Sequence, residues 1–240
     1  MAQVSASPLL YKYGTLRSQY AEALLSTPSL WFATAACLND PFEIRPVHTV
    51  NGSPLPDDIS ADLNEDFNSH AGICCLSRTN SSILMWSYYA DSHAGFCLGF
   101  DATEIAKIAD LALPVDYQEK FPALEFLGID LDHLSNGVSL RHMTTKFEGW
   151  AHEEEVRLIS LARAYYRAVP VDRLIGRRGP GPHSYPAELL RSVTFGARMM
   201  ADDRARVRHM VESRGHAVEF NECAIVPAAF KLNIVKVDDA

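Results

Sequence analysis

The sequence lacks any long apolar run. About 20 consecutive apolar residues are needed to cross a bilayer, and none of its 240 residues belongs to such a stretch. The segment Met1–Leu10 is neither basic nor followed by the hydrophobic run of a secretory signal. We therefore expect a cytoplasmic protein without a membrane partner.

Cysteine is scarce and is not arranged for a metal or a redox pair. The chain has five cysteines and no C-x-x-C pair; they are Cys37, Cys74, Cys75, Cys97 and Cys223. Neighbours such as Cys74 and Cys75 rarely bridge each other, and an odd count in apolar surroundings is typical of reduced core cysteine. We expect no disulfide, no zinc and no other metal.

Positive charge is also limited. The chain has 30 acidic residues against 22 lysines and arginines, so its net charge is −8. A general attraction to nucleic acids or anionic membranes is therefore not expected, although a local basic patch would be compatible with this balance.

Several familiar catalytic motifs are missing. The sequence contains no G-x-x-x-x-G-K-[ST] loop, no strand-placed G-x-G-x-x-G, no G-x-S-x-G and no H-E-x-x-H. These absences argue against a P-loop nucleotide site, a Rossmann dinucleotide site, an α/β-hydrolase elbow and a zincin protease.

The local patterns predict a mixture of strands and helices. Apolar runs such as Ile73–Leu76, Phe96–Phe100 and Val156–Leu161 are typical of buried strands, while Asp202–Ser213 has the pattern of an amphipathic helix. The strands are spaced too irregularly for a doubly wound sheet. We predict an α+β fold, with a mixed, mainly antiparallel sheet flanked by helices.

The only candidate linker is Gly176–Pro186, which carries three glycines and three prolines and is predicted to be a loop. The sequence after it is short for a separate domain, so we predict one domain over residues 1–240. Pro122–Leu134 is predicted to be helical or irregular.

The acidic block Trp150–Arg157 is the strongest candidate site. If Glu153–Ile159 is extended, Glu153, Glu155 and Arg157 share one face, and Glu154 takes the other. In a helix, Glu153 and Arg157 would instead form an i,i+4 pair. A charged, solvated strand start with a surface ion pair is the simplest alternative, but nearby Lys146 and Trp150 favour a site.

Two further blocks could contribute to a site. Asn39–Glu43 has the composition of a turn with Phe42 as an anchor, or it could place Asp40 or Glu43 at a cleft. In Met85–Ala90, Trp86 belongs to a helical stripe that is more often core, while Tyr88 or Tyr89 could stack on a planar ligand. Ser77 follows a buried strand and could be the polar end of a ligand-binding wall formed with these aromatic side chains.

The order of these blocks resembles a bacterial family known as domain of unknown function 2971. The motifs that carry the resemblance span roughly residues 10–196 and are Leu10–Tyr13, Trp31–Glu43, Cys75–Ser77, Leu84–Asp101, Lys146–Ile159 and Val193–Gly196. The family implies no activity.

The layout also resembles the ADP-ribosyltransferase superfamily, in which strand-borne polar residues bind NAD and a strand-borne Glu is catalytic. The resemblance implies NAD as a substrate of a transferase or NAD glycohydrolase, with a role as a toxin or in phage defence. The positions that the resemblance implies are Lys12 or Tyr13, Ser77 with Tyr88 or Tyr89, and Glu153 or Glu155 as the catalytic carboxylate. Together with the local patterns, this leads us to expect catalytic roles for Glu153, Glu155 and Arg157. We expect NAD to contact Lys12, Tyr13, Ser77, Trp86 and Tyr89. Lys12 stands where that superfamily usually has His or Arg.

Two alternatives remain open at this point. The same cleft could bind a small molecule or peptide without chemistry, with Glu153 and Glu155 paired to Lys146 and Arg157. Alternatively, Asp40, Glu43, Glu153 and Glu155 could hold a divalent metal in a nucleic-acid enzyme. The sequence does not indicate an oligomeric state.

Overall fold

The computed structural model describes residues 8–45, 47–60, 69–125, 139–162 and 178–237. The strands in these ranges are β1 (Leu9–Gly14), β2 (Ser29–Phe32), β3 (Val47–Val50), β4 (Ser53–Pro54), β5 (Ala71–Ser77), β6 (Phe96–Asp101), β7 (Leu111–Pro114), β8 (Asp116–Gln118), β9 (Ala123–Glu125), β10 (Thr145–Phe147), β11 (Glu155–Leu161), β12 (Gly181–Ser184), β13 (Leu190–Phe195), β14 (Glu219–Ile225) and β15 (Leu232–Lys236).

The helices in the same ranges are short. The α-helices are Ala21–Ser26, Ile83–Tyr89, Ala102–Ile105, Ser139–Met143 and Ala201–Glu212, and the 3₁₀ segments are Ala35–Cys37, Ala106–Ile108, Glu148–Glu153 and Ala187–Leu189. Within the described ranges, none of the helices has the length and hydropathy needed to span a bilayer.

Eight strands form the main sheet, in the order β15-β14-β13-β6-β1-β5-β11-β7. All neighbouring strands in it are antiparallel except β13 and β14, which are parallel. The predicted α+β class with a mixed, mainly antiparallel sheet is therefore confirmed. Strands from both sides of the candidate linker belong to this one sheet.

The central strands are buried and mainly apolar, and the polar exceptions in β11 are Glu155, Arg157 and Ser160. Every residue of β6 and β11 is buried, as is nearly all of β5. Leu76, Leu98 and Leu158 belong to the main hydrophobic cluster, which helix Ala201–Glu212 joins through Val207 and Val211. Burial of this apolar surface is the main stabilising contribution to the sheet.

The sheet is nearly interrupted at its centre. β1 pairs with β6 over six residues, but it pairs with β5 at one position, Tyr11 opposite Ser77. Beyond that position the ammonium of Lys12 donates to the Cys75 carbonyl at 3.1 Å, where a strand neighbour would otherwise supply an N–H group. The gap between β1 and β5 leaves room for a cavity.

Several local predictions can be compared with these elements. Asn51 and Gly52 form the β3–β4 turn with φ of 50° and 75°, as their dipeptide predicts. Asp101 followed three residues later by Glu104 is a capping pattern, and Asp101 caps the following helix through Thr103 N and Glu104 N.

Two predictions of irregular or helical structure are wrong. Gly181–Ser184, in the predicted loop, is strand β12 and pairs with β2, because an edge position tolerates its proline. Ala123–Glu125, in the segment predicted to be helical or irregular, is strand β9 and pairs with β3. Both strands are stabilised by distant partners that local patterns do not reveal. The rest of Pro122–Leu134 after Glu125 lies outside the described residues.

Candidate functional site

Lys146 lies at the centre of a buried cluster of charged side chains. Its Nζ is 2.5 Å from Glu153 Oε2 and 3.1 Å from both Glu155 Oε2 and Glu43 Oε1. All four side chains are at most 5% exposed. An ammonium has three donors, and here each of them has a carboxylate within reach.

Arg157 is the second cation of this cluster. The guanidinium is fully buried and donates from Nε to Glu155 Oε1 at 2.8 Å and from Nη1 to the Met143 carbonyl at 2.6 Å. Its Nη2 contacts the Glu43 carboxylate. The charged cluster therefore consists of Glu43, Lys146, Glu153, Glu155 and Arg157, with three carboxylates and two cations.

The backbone that carries Glu153 and Glu155 is not one continuous strand. Glu153 ends the 3₁₀ segment Glu148–Glu153, so of the two alternatives the extended one holds from Glu155 but not at Glu153 itself. Glu154 then adopts a left-handed conformation with φ of 45°, and β11 starts at Glu155. This turn places both carboxylates on Lys146 and leaves Glu154 exposed.

The two neighbouring carboxyl groups have opposite pKa shifts. Burial raises the pKa of Glu153, and Lys146 and Tyr89 only partly offset this. Burial would also raise the pKa of Glu155, but Arg157 and Lys146 outweigh it and lower that pKa to about 2. The carboxylates outweigh the burial of Lys146 and Arg157, so the pKa of each cation is raised above its ordinary value.

Neutral donors hold Glu153 in place. Tyr89 Oη donates to Glu153 Oε1 at 2.6 Å, and Asn39 Nδ2 lies 3.5 Å from the same hydroxyl. Ser77 Oγ donates to the Glu153 carbonyl at 2.7 Å. Burial raises the pKa of Tyr89, so its hydroxyl remains a donor at neutral pH.

A cavity of about 440 Å³ opens beside the charged cluster, in the gap between β1 and β5. We call it the first cavity. Its walls are mainly aromatic and aliphatic, including Tyr11, Trp31 and Leu30. Apolar walls with a few convergent polar groups are typical of small-molecule sites.

Most of the residues proposed from the sequence meet at the first cavity. Those that line it are Lys12, Tyr13, Asn39, Glu43, Ser77, Tyr89, Lys146, Glu153 and Glu155. Arg157 does not line the cavity but contacts two of these residues, Glu43 and Glu155. Burial would lower the pKa of Lys12, but nearby cysteines and Glu155 raise it, so this lysine stays cationic at the cavity wall.

Three proposed residues lie elsewhere. Trp86 is fully buried, donates to the Asn80 carbonyl and packs edge-on against Tyr13 with ring centroids 5.3 Å apart. Asp40 and Trp150 line a second cavity, where Trp150 Nε1 donates to Asp40 Oδ2 at 2.8 Å. Trp86 thus has a structural position, as its helical stripe suggested.

Lys146 occupies the position that a metal would need. The three carboxylates that could form a hard-cation site converge on its ammonium instead. Among the described residues, no group of three or more His, Cys, Asp or Glu side chains is arranged to hold a metal ion. Of the four carboxylates in the metal-dependent alternative, three contact Lys146, and the fourth, Asp40, lies at the second cavity.

Sequence reasoning missed Tyr117 and Tyr11. The Tyr117 hydroxyl accepts a hydrogen bond from Glu155 N at 2.8 Å and so fixes the start of β11. Tyr11 is a wall of the first cavity. Nothing in the sequence pairs Tyr117 with Glu155, because the two are 38 residues apart. For Tyr11, the apolar run Leu9–Tyr13 predicts a strand but does not indicate which of its rings faces a cavity.

One comparison with known proteins gives a match. The family described as Protein of unknown function (DUF2971) matches residues 85–158, a range that includes Tyr89 and four members of the charged cluster but not Glu43. This match supports the resemblance seen in the sequence motifs. No curated protein and no solved structure matches the chain.

Proposed function

We propose that this protein is an enzyme that cleaves the bond between a ribose and a planar nitrogen base, with NAD as the substrate to test first. The reaction is hydrolysis or the ADP-ribosyl transfer suggested by the sequence resemblance. The first cavity is the substrate site, and Glu153 is the catalytic carboxylate.

The observation that carries this proposal is the opposite shift of two adjacent carboxyl groups at one cavity. Enzymes that need both a base and a fixed anion separate two carboxyl pKa values by burial and by neighbouring charges. The pKa of Glu153 is raised, which suits a general base. Glu155 has a pKa of about 2 and remains ionised.

The proposed chemistry uses each group in one role. A water oxygen bonds to the ribose carbon while the bond from that carbon to the nicotinamide nitrogen breaks, and nicotinamide leaves with the bonding electron pair. Glu153 takes the proton that the water loses. The transition state resembles an oxocarbenium ion, whose positive charge nearby fixed carboxylates stabilise.

The remaining walls suit the rest of the molecule. Tyr11, Trp31 and Tyr89 offer aromatic surface for a planar base. Lys12 uses one donor on the Cys75 carbonyl, and its retained charge suits the phosphates of a dinucleotide. Asn39 and Ser77 are additional polar groups at the same wall.

The test is nicotinamide release from NAD by the wild type and by Glu153→Gln. Removing a general base typically lowers the rate about 100-fold or more, and we expect that fall with an unchanged circular dichroism spectrum. Glu148→Gln, on the exposed part of the same 3₁₀ segment, is the matched control and should keep full activity. NAD at millimolar concentration should also raise the melting temperature. The proposal is refuted if NAD gives no nicotinamide release and no shift of the melting temperature.

A second candidate is a binding protein without chemistry. It is favoured by the buried charged cluster, in which every charge has an opposite partner within 3.1 Å. In that case the ligand of the first cavity would raise the melting temperature and be recovered unchanged after long incubation.

A further inference from the structure

A second cavity of about 480 Å³ lies beside the charged cluster. Glu43 and Lys146 line both cavities, so their contact forms part of the wall between them. The other walls of the second cavity come from three separate segments: the Asp40–Glu43 turn, residues 118–121, and β10 with Trp150.

The second cavity is surrounded by exposed aromatic rings. Phe42 is 66% exposed, Phe147 is 53% exposed and Phe121 is 46% exposed. Trp150 is held in place by its hydrogen bond to Asp40 and has Lys146 Nζ 5.2 Å from its ring centroid. Exposed apolar groups that gather at one cavity indicate a ligand or partner site, and the faces of such rings attract cations.

The charges around the second cavity leave an excess of carboxylate. Glu119 and Lys120 are both exposed and offset each other. The charges of Lys146 and Arg157 are already shared among three carboxylates, those of Glu43, Glu153 and Glu155. Asp40 is 8% exposed, and its hydrogen bonds from the described residues come from two neutral N–H groups, those of Trp150 and Phe42. An occupant with a positive charge would therefore match this wall.

We infer that the second cavity binds an organic cation with an apolar stem, such as an alkylguanidinium or alkylammonium group. The rings would pack against the stem, while Asp40 and Glu43 would attract the charged head. The cation could be free or could be a side chain of another protein, and the same chemistry recognises both.

Binding here has a consequence for the first cavity that rests on the proposed function. A cation near Glu43 competes with both Lys146 and Arg157 for that carboxylate, which leaves more of the lysine's charge to Glu153. The low-pH limb of NAD cleavage should then move to lower pH when the second cavity is filled. The second ligand would in this way regulate the reaction from the opposite side of the Glu43–Lys146 contact.

Tryptophan fluorescence can test binding without any use of NAD. In Trp31→Phe the remaining tryptophans are Trp86, which is fully buried, and Trp150 at the second cavity. Titration with butylguanidinium should give a saturable change in emission, and the neutral analogue butylurea should bind at least 10-fold more weakly. Trp31→Phe/Trp150→Phe should abolish the signal.

Two variants then test the two parts of the site. Phe42→Ser, at a largely exposed ring, should weaken butylguanidinium binding at least 5-fold without affecting the fold. Asp40→Asn should remove most of the preference for butylguanidinium over butylurea. Equal binding of the two probes, or no saturable change in Trp31→Phe, would overturn the inference.

The source of the cation can be read from the same assay. A short arginine-containing peptide that binds more tightly than butylguanidinium would identify a protein side chain, and the reverse order would identify a free cation. Because these titrations contain no NAD, a failure of NAD cleavage would leave their result intact, and a failure of the titrations would leave the proposed cleavage untouched.

Discussion

Charged side chains pair in two different settings in this protein. At the start of β11, Arg157 and Lys146 lie among carboxylates that are at most 5% exposed. Elsewhere, pairs such as Lys107–Glu104 lie largely in water. An exposed pair contributes roughly 0–1 kcal/mol because water and salt screen it. A buried pair gains little over an apolar core, yet losing one partner leaves an unpaired buried charge.

This difference in burial indicates which charged residues belong to a functional site. Burying five charges is costly, and apolar side chains could fill the same space more favourably for stability. A cluster that persists beside a cavity with shifted pKa values has the features of a functional site. The exposed pairs have no such features.

The largest expected effect comes from breaking the buried cluster. Arg157→Met should lower the free energy of unfolding by about 3–5 kcal/mol, because it leaves Glu43 and Glu155 with one cation for three carboxylates. Lys107→Met, at an exposed ion pair with Glu104, is the matched control and should change it by less than about 1 kcal/mol. Urea denaturation measures both; similar values would contradict the contrast drawn between the two settings.

Acid should affect the buried cluster over a defined range of pH. The pKa of Glu155 is about 2 when folded and 4.5 ordinarily, so its contribution is present above pH 4.5 and is lost as pH falls towards 2. This loss is on the order of 3 kcal/mol. Glu155→Gln starts less stable but should lose less on going from pH 7 to pH 3. An equal loss in both proteins would show that Glu155 is not responsible.

A smaller effect is expected from a donor that acts on Glu153. Tyr89→Phe removes a hydrogen bond to that carboxylate, which should raise the pKa of Glu153 further. The low-pH limb of NAD cleavage should move to higher pH, by about 1 pH unit, since such a bond contributes roughly 1.5 kcal/mol. Tyr88→Phe, at the exposed neighbouring ring, should leave the profile in place. An unshifted profile in Tyr89→Phe would mean that the hydroxyl does not act on the reacting carboxyl group.

The smallest expected effect concerns the turn between the two carboxylates. Glu154 has φ of 45°, which is unfavourable for a side chain with Cβ and favourable for glycine. Glu154→Gly should therefore stabilise the protein by about 1 kcal/mol. Glu148→Gly, in the adjoining 3₁₀ segment with no positive φ, should not stabilise it. Destabilisation by Glu154→Gly would indicate that the exposed carboxylate has a role of its own.

The strands and turns that local chemistry determines could be predicted from the sequence. The apolar run Val156–Leu161 matches β11 apart from its first residue, and the Asn51-Gly52 dipeptide matches the observed turn. β9 and β12 were missed because each is stabilised by pairing with a strand far away in the sequence. Their own residues are weak strand formers.

The sequence alone singled out Glu153, Glu155, Arg157 and Lys146, since charged residues that adjoin an apolar strand stand out in any fold. Only the tertiary structure brought Glu43 to Arg157 across 114 residues and made Lys146 the common partner of three carboxylates. The same holds for the gap between β1 and β5 and for the cavity within it. Residue type and spacing act locally, whereas burial, pKa and convergence depend on which distant strands become neighbours in the sheet.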